Sequence, residues 1–392
     1  MVRPASFSAF QANAFTWNFA LGMTNLLIPL YARELGMSGV SIGSLIALPV
    51  LIQIWFNLLG GAYADRIGAK RTSLFASAFI VAAAATYAVS ASFAGLLTGQ
   101  FLLIVSRAAF WPSNWALASQ LPGDRSRNMG RLNATTNAGQ IVGIVLTGMV
   151  IARFGFRFGF WMMAATGSLA LLFALFISPP RSAASAAPPA LFATYFELAK
   201  HRSMYFAVVC AYVSALPFSL SVSFFPILLV EQGLSSEATG ALLALRALGS
   251  IVAGVALAHL VRSANDRRAP FVSTVASAVS VGLVSLLPDP AWAGLFLLGI
   301  GMASGVMTVY FQILISAISS AEQRGSAMAL GGLGWGLSNL STPLIVGALS
   351  DTWGIQFAFH ALGLIVLLVG IALPAIQQWA FRDTHAAQAD RP

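Results

Sequence analysis

Two arginines stand where a charge is costly. Arg107 falls midway along the apolar run 94–117, and Arg246 within the run 238–261. A cation at mid-depth costs at least about 2.5–3.5 kcal/mol on insertion scales, so each should face a cavity or a partner rather than lipid. The guanidinium presents its donors as a planar fork that fits the oxygens of a carboxylate or phosphate. No Asp or Glu lies in the middle of any apolar run, so the chemistry open to this pair is anion recognition. A second reading stands beside it for each residue. Arg107 could clamp backbone carbonyls or neighbouring side chains, and Arg246 could pair with Glu231 or Glu237.

Helical spacing puts Trp111, Asn114 and Trp115 near the face of Arg107, and Pro112 between them removes one backbone donor. Asn133, Asn137 and Gln140 form a polar stripe on another run, answered by Asn339 at the position matching Gln140 in the later part of the chain. Amides in an apolar span face protein or water, either orienting a ligand or bridging helices. Asn18 in the first span belongs to the same candidate set. Trp17, Phe110, Tyr212, Tyr310 and Trp335 could stack on a planar ligand or serve as packing. The candidate ligand-binding residues are therefore Arg107, Arg246, Trp111, Trp115, Asn18, Asn137, Gln140, Tyr310 and Asn339. Phosphate-binding loops, nucleophile elbows and metal-binding His-Glu pairs have no counterpart here. His201, His259, His360 and His385 are isolated. The single Cys210 rules out an intrachain disulfide. No enzyme, metal or cofactor is expected.

The elements that carry these residues are set by composition. Of 392 residues, 58% are hydrophobic and 8% charged, against about a quarter charged in a soluble domain. Apolar runs of this length cross roughly 30 Å of hydrocarbon, and lipid leaves their backbones only the helix. Twelve spans are expected near 9–31, 41–63, 73–90, 94–117, 131–152, 157–178, 204–230, 238–261, 270–287, 291–317, 325–349 and 355–381. Sixteen of the 21 Lys and Arg residues fall in loops or tails on one face, three on the other and two within spans. The positive-inside bias then puts both termini in the cytoplasm. The +9 charge is explained by topology and by anionic headgroups, with no need for nucleic acid. The first span reads as a retained helix.

A Pro/Ala/Ser-rich stretch, 178–189, falls near the middle of the chain and reads as a linker. The sequences either side repeat. Gly148, Gly155 and Phe160 recur as Gly347, Gly354 and Phe359 at an offset of 199, and Pro29, Glu34 and Gly36 recur as Pro226, Glu231 and Gly233 at 197. The expected domains are a six-helix bundle over 1–178, a cytoplasmic linker over 179–203 and a second bundle with a short tail over 204–392.

Between the second and third spans, the run Gly61-Ala62-Tyr63-Ala64-Asp65-Arg66-Ile67-Gly68-Ala69-Lys70-Arg71 resembles the G-x-L-A-D-R-x-G-R-K signature of the major facilitator superfamily. Tyr63 stands where Leu is usual and Ala69 where a basic residue is usual. Leu103 and Arg107 resemble the superfamily's helix-4 motif L-x-x-x-R-x-x-Q-G, with Phe110-Trp111 in place of Gln-Gly. Gly139 and Gly143 match part of an exporter motif in helix 5, but Ile144 replaces its proline.

The resemblance implies an all-α membrane protein of twelve transmembrane helices in two pseudo-symmetric six-helix bundles, with a central ligand site at mid-membrane. It implies a gate at Gly61, Asp65, Arg66, Gly68, Lys70 and Arg71, in which Asp65 meets the positive end of the eleventh span. The expected function is a secondary transporter of the bacterial inner membrane, acting as a monomer on a small organic anion or anionic amphipathic molecule. Coupling would be to protons or the substrate gradient, with membrane lipids as further partners. Alternatives are a drug:proton efflux pump and a transporter-like sensor.

Overall fold

In the computed structural model, residues 4–121, 124–177, 191–257, 259, 261, 263–320 and 323–389 are described; of these, 4–6, 57–67, 125–126, 191–193 and 383–389 are described as backbone only. Fourteen helices form among them: α1 Pro4–Glu34, α2 Gly39–Ile67, α3 Ala69–Val89, α4 Phe93–Gln120, α5 Arg125–Leu175, α6 Leu191–Ala199, α7 Arg202–Ser221, α8 Phe225–Glu231, α9 Ser236–Ala256, α10 Arg268–Leu283, α11 Pro290–Ile318, α12 Arg324–Gly331, α13 Leu333–Trp353 and α14 Ile355–Ala389. Eight of the described helices are long and apolar enough, by length and composition, to cross a membrane. One of these, α5, holds two crossings, and α1, α10 and the α12–α13 pair complete the expected twelve.

Three boundaries differ from the sequence expectation. The fifth and sixth spans join without a loop, because the backbone turns at Gly155 alone (φ 76°, ψ 177°), a conformation only glycine adopts cheaply. The seventh span breaks at 222–224 into α7 and α8, and the eleventh turns at Gly332 between α12 and α13. The stretch expected as linker contains the nine-residue helix α6.

The repeat recurs in the backbone. Every positive-φ residue among those described is glycine, and four form repeat pairs: Gly36 (75°) with Gly233 (87°), and Gly155 (76°) with Gly354 (85°). The helix starts that follow the first pair are capped alike, Ser38 Oγ accepting from Ser41 N at 3.2 Å and Ser235 Oγ from Ala238 N at 3.1 Å. The fifth, Gly68 (89°), belongs to the signature turn of the first half.

By packing, the chain forms two compact units: Met1–Ala187 with Val222–Val230 and Ser235–Ala244, and Pro188–Ser221 with Glu231–Leu234 and Leu245–Pro392. In the first, α1 lies so close on α5 that a Cβ on Gly139 or Gly143 would strike the carbonyls of Phe15 and Phe19. These two glycines, which matched part of the exporter motif, seat α1. Asn13 ties three helices, donating to Ser77 Oγ at 3.1 Å and Ala170 O at 2.8 Å while accepting from Ser73 Oγ at 3.2 Å. Small residues and buried amides of this kind hold apolar helices together where no hydrophobic force separates helix from lipid. The first unit also contains the packing of α5 on α9, with Gly148 against the Ser236 backbone and Gly240 against that of Ile144. In the second unit Gly301 lies against the Arg246 carbonyl and Gly334 against that of Val208, seating α11 on α9 and α13 on α7.

Candidate functional site

In the first unit, α4 carries Arg107 half-buried, one turn before Trp111 and two before Trp115. The neighbouring rings form a ladder. Trp17 of α1 stacks on Phe110 (centroids 3.7 Å, 7° between planes), Trp111 meets both edge-on at 6.5 and 5.4 Å, and Trp115 follows at 6.0 Å. Trp17 is pinned by its indole N–H, which donates to Ser106 Oγ at 3.1 Å, and that hydroxyl donates in turn to Ala76 O at 2.6 Å. The inner rungs are fixed, while Trp115 is 51% exposed. A fork of donors beside a rigid aromatic wall can hold an anion that carries a ring.

Arg246, in the second unit, is 5% exposed, and its Nε has no hydrogen-bond partner among the described residues. The proposed alternative of pairing with Glu237 meets a geometric obstacle. Nine residues of helix separate them, about 13 Å along α9, and Glu237 instead stands 3.9 Å from Arg153. On α13, Trp335 donates its indole N–H to Ser214 Oγ at 3.0 Å, Ser304 Oγ donates to Ser214 O at 2.8 Å, and the Tyr212 and Ser341 hydroxyls meet at 2.8 Å.

The amides expected to face a ligand divide. Asn18 Nδ2 donates to Ala14 O, Asn114 Nδ2 to Phe110 O and Asn339 Nδ2 to Trp335 O, at 2.8, 2.9 and 2.8 Å. Each amide nitrogen is thus committed to its own helix. The Asn114 Oδ1 is buried with no hydrogen-bond partner among the described residues. Asn137 and Gln140 are half-buried on α5. Tyr310 is a buried residue of the second unit. Its ring is fully buried, its hydroxyl donates to Ala264 O at 2.8 Å, and Gln377 Nε2 donates to the Tyr310 oxygen at 3.0 Å, so it ties α11 and α14 to the turn before α10. Ser106, Ser214 and Ser304 are the positioning residues that sequence reasoning passed over. A single hydroxyl in an apolar span gives no signal of its partner.

In the signature turn, the side chains of Gly61, Asp65 and Arg66 lie outside the described residues. Lys70 Nζ donates to Leu175 O at 2.8 Å. That places a cation on the exposed carbonyls at the end of α5, where the helix dipole favours it. Arg71 is exposed. His360 Nδ1 lies 2.6 Å from Gly282 O, and Cys210 is a buried free cysteine.

An all-helical multi-pass membrane protein with a duplicated six-span plan has the architecture of small-molecule transporters built from two repeated bundles. The chain belongs to the Major Facilitator Superfamily, whose family model matches residues 12–313. It is a transporter family, and its members are not enzymes. The 3-(3-hydroxy-phenyl)propionate transporter of Escherichia coli (strain K12) is 28% identical over 362 residues, 87% of this chain and 86% of that protein. The quinolone resistance protein NorA of Staphylococcus aureus is 25% identical over 177 residues, 44% of this chain; the chain spans about half, 45%, of NorA's length. Among solved structures, an inward-facing, unoccupied bacterial homologue of the human lysosomal transporter Spinster superposes with a TM-score of 0.80 at 16% identity, covering 98% of this chain and 99% of the other. The nucleoside transporter NupG gives 0.78 at 14%, covering 97% and 99%. At these identities the two structures establish the fold alone.

Proposed function

We propose that this protein is a secondary transporter of small organic anions that carry an aromatic ring, typified by aryl carboxylates. The observation that carries this reading is the pair of mid-span arginines, one per repeat, with Arg107 beside the Trp17–Phe110–Trp111–Trp115 ladder. Each arginine offers its donor fork to a carboxylate, and the ladder beside Arg107 stacks on the ring. Asn137 and Gln140 orient the ligand. Similarity to an aromatic acid transporter over most of both chains supports the substrate class.

The moving bodies are the repeats 1–178 and 204–392, joined by the linker 179–203 and rocking about a central site. Both termini are cytoplasmic, and the inner membrane of a bacterium is the setting. The chain works as a monomer, and transport draws on a proton gradient or on the gradient of the anion itself. Opening on the outer side parts Gly148 from Ser236 and Gly240 from Ile144. The Asp65 turn closes the inner side. A second reading, efflux of amphipathic drugs, is supported by the similarity to NorA and by the exposed ring of Trp115.

The test is a binding titration of purified protein with 3-phenylpropionate, its neutral amide and a cationic amphiphile. The anion alone should bind, and Arg107→Ala and Arg246→Ala should each abolish that binding while eluting as folded protein. Binding of the cation in preference to the acid would favour the efflux reading.

A further inference from the structure

The charge-rich end of the second unit carries rings and cations that the transport reading leaves unused. α6 is anchored there by Leu198, which joins a buried cluster with Met204, Phe206 and Leu314. Two residues earlier on the same helix, Phe196 points away from that cluster and is 68% exposed. Lys200 Nζ stands 4.9 Å above the Phe196 ring, and the guanidinium of Arg202, at the start of α7, stands 5.5 Å from the centre of the Trp379 ring on α14. The frame beneath is rigid. One turn inward from Arg202, Phe206 meets Phe381 edge-on at 6.2 Å and fixes α7 against α14. Tyr205 is 55% and Trp379 43% exposed, and Arg382, one turn after Trp379, is exposed as well. Among the described residues of this group the acid is Glu197, also exposed, beside the three cations Lys200, Arg202 and Arg382.

Half-exposed Trp and Tyr rings at the ends of spans mark the depth of lipid headgroups. A cation lying on such a ring is attracted to its face, and the Lys200 ammonium brings three donors for an anion outside the protein. We infer that Lys200, Arg202, Phe196 and Trp379 form a binding site for the phosphate of an acidic glycerophospholipid in the adjoining leaflet. Arg202 and Lys200 hold the phosphodiester, and the Trp379 and Phe196 rings lie alongside the glycerol and upper acyl chain. Basic clusters of this kind on the cytoplasmic side select anionic lipids over zwitterionic ones.

Native mass spectrometry of the full chain, titrated with dioleoyl-phosphatidylglycerol or dioleoyl-phosphatidylcholine, tests the site. The wild type should retain phosphatidylglycerol preferentially. Lys200→Gln and Arg202→Gln should each weaken that retention roughly fivefold without changing phosphatidylcholine, whereas Arg267→Gln, an exposed cation at the start of α10, should leave it unchanged. Trp379→Leu keeps every charge and should weaken retention too, which carries the test if a charge variant fails to elute as folded protein. Equal retention of the two lipids by the wild type, or wild-type retention by both Gln variants, overturns the assignment. So does displacement of the lipid by an equal concentration of sn-glycerol 1-phosphate, which would make this a site for soluble phosphate.

Discussion

Replacing Arg246 with leucine should make the protein more stable and less able to bind its substrate. The residue is 5% exposed and its Nε has no hydrogen-bond partner among the described residues, so the native state carries a buried cation. On insertion scales mid-helix Arg costs about 2.5–3.5 kcal/mol and Leu gains about 0.3–0.6, which sets an upper bound of about 3–4 kcal/mol on the stabilisation. Leucine retains part of the apolar stem that arginine packs, and the backbone contact of α9 with Gly301 is unaffected. Losing a hydrogen bond to a charged group costs about 1.5–3 kcal/mol, or roughly a 10- to 150-fold weaker affinity for an aryl carboxylate. Thermal unfolding in detergent reads both effects, because a ligand bound only by the folded state raises the melting temperature. Wild type should melt lower without ligand and shift upward with it, while Arg246→Leu should melt higher and shift little. A variant that melts below wild type and keeps the ligand shift would make Arg246 a structural clamp and refute the reasoning.

Gly155→Ala and Gly354→Ala should each cost about 1–3 kcal/mol in thermal unfolding; no neighbour lies within 4 Å of the added methyl, so any loss reports backbone strain at φ 76° and 85°. Asn13→Ala removes three buried side-chain hydrogen bonds, at about 0.6 kcal/mol each in membrane proteins, so a loss of about 2 kcal/mol is expected in the same assay. Gly301→Leu should abolish the folded peak in size-exclusion chromatography because the Arg246 carbonyl occupies the space, whereas Gly254→Ala, with open space beside it, should elute normally. If the Asp65 turn closes the inner side, Asp65→Asn should raise the labelling of a cysteine introduced at the cytoplasmic end and slow transport more than it weakens binding; unchanged labelling and transport would remove the gate assignment.

Much of the architecture was legible in the sequence because hydropathy is a local property. A run of some twenty apolar residues must be a helix in lipid whatever surrounds it, and that alone placed the spans and singled out Arg107 and Arg246 as anomalies. The repeat pairs Gly36/Gly233 and Gly155/Gly354 were visible as spacing, and their positive φ angles give the reason glycine stands at all four. The signature turn at Gly61–Arg71 pointed to the family. What the sequence could not decide was partnership, which depends on how each helix is rotated and what it meets. Asn18 and Asn339 looked like ligand-facing amides, yet their nitrogens bond their own helices. Tyr310 looked like a cavity aromatic, and its hydroxyl ties α11 to the turn before α10. Lys70 caps α5, and Gly139 and Gly143 seat α1. The break of the seventh span at 222–224 likewise carries no hydropathy signal, since α7 and α8 are both apolar and a turn shielded by protein satisfies its backbone groups where lipid could not. Composition fixes which segments enter the membrane; the rotation and close approach of those segments decide which polar atoms remain for a ligand.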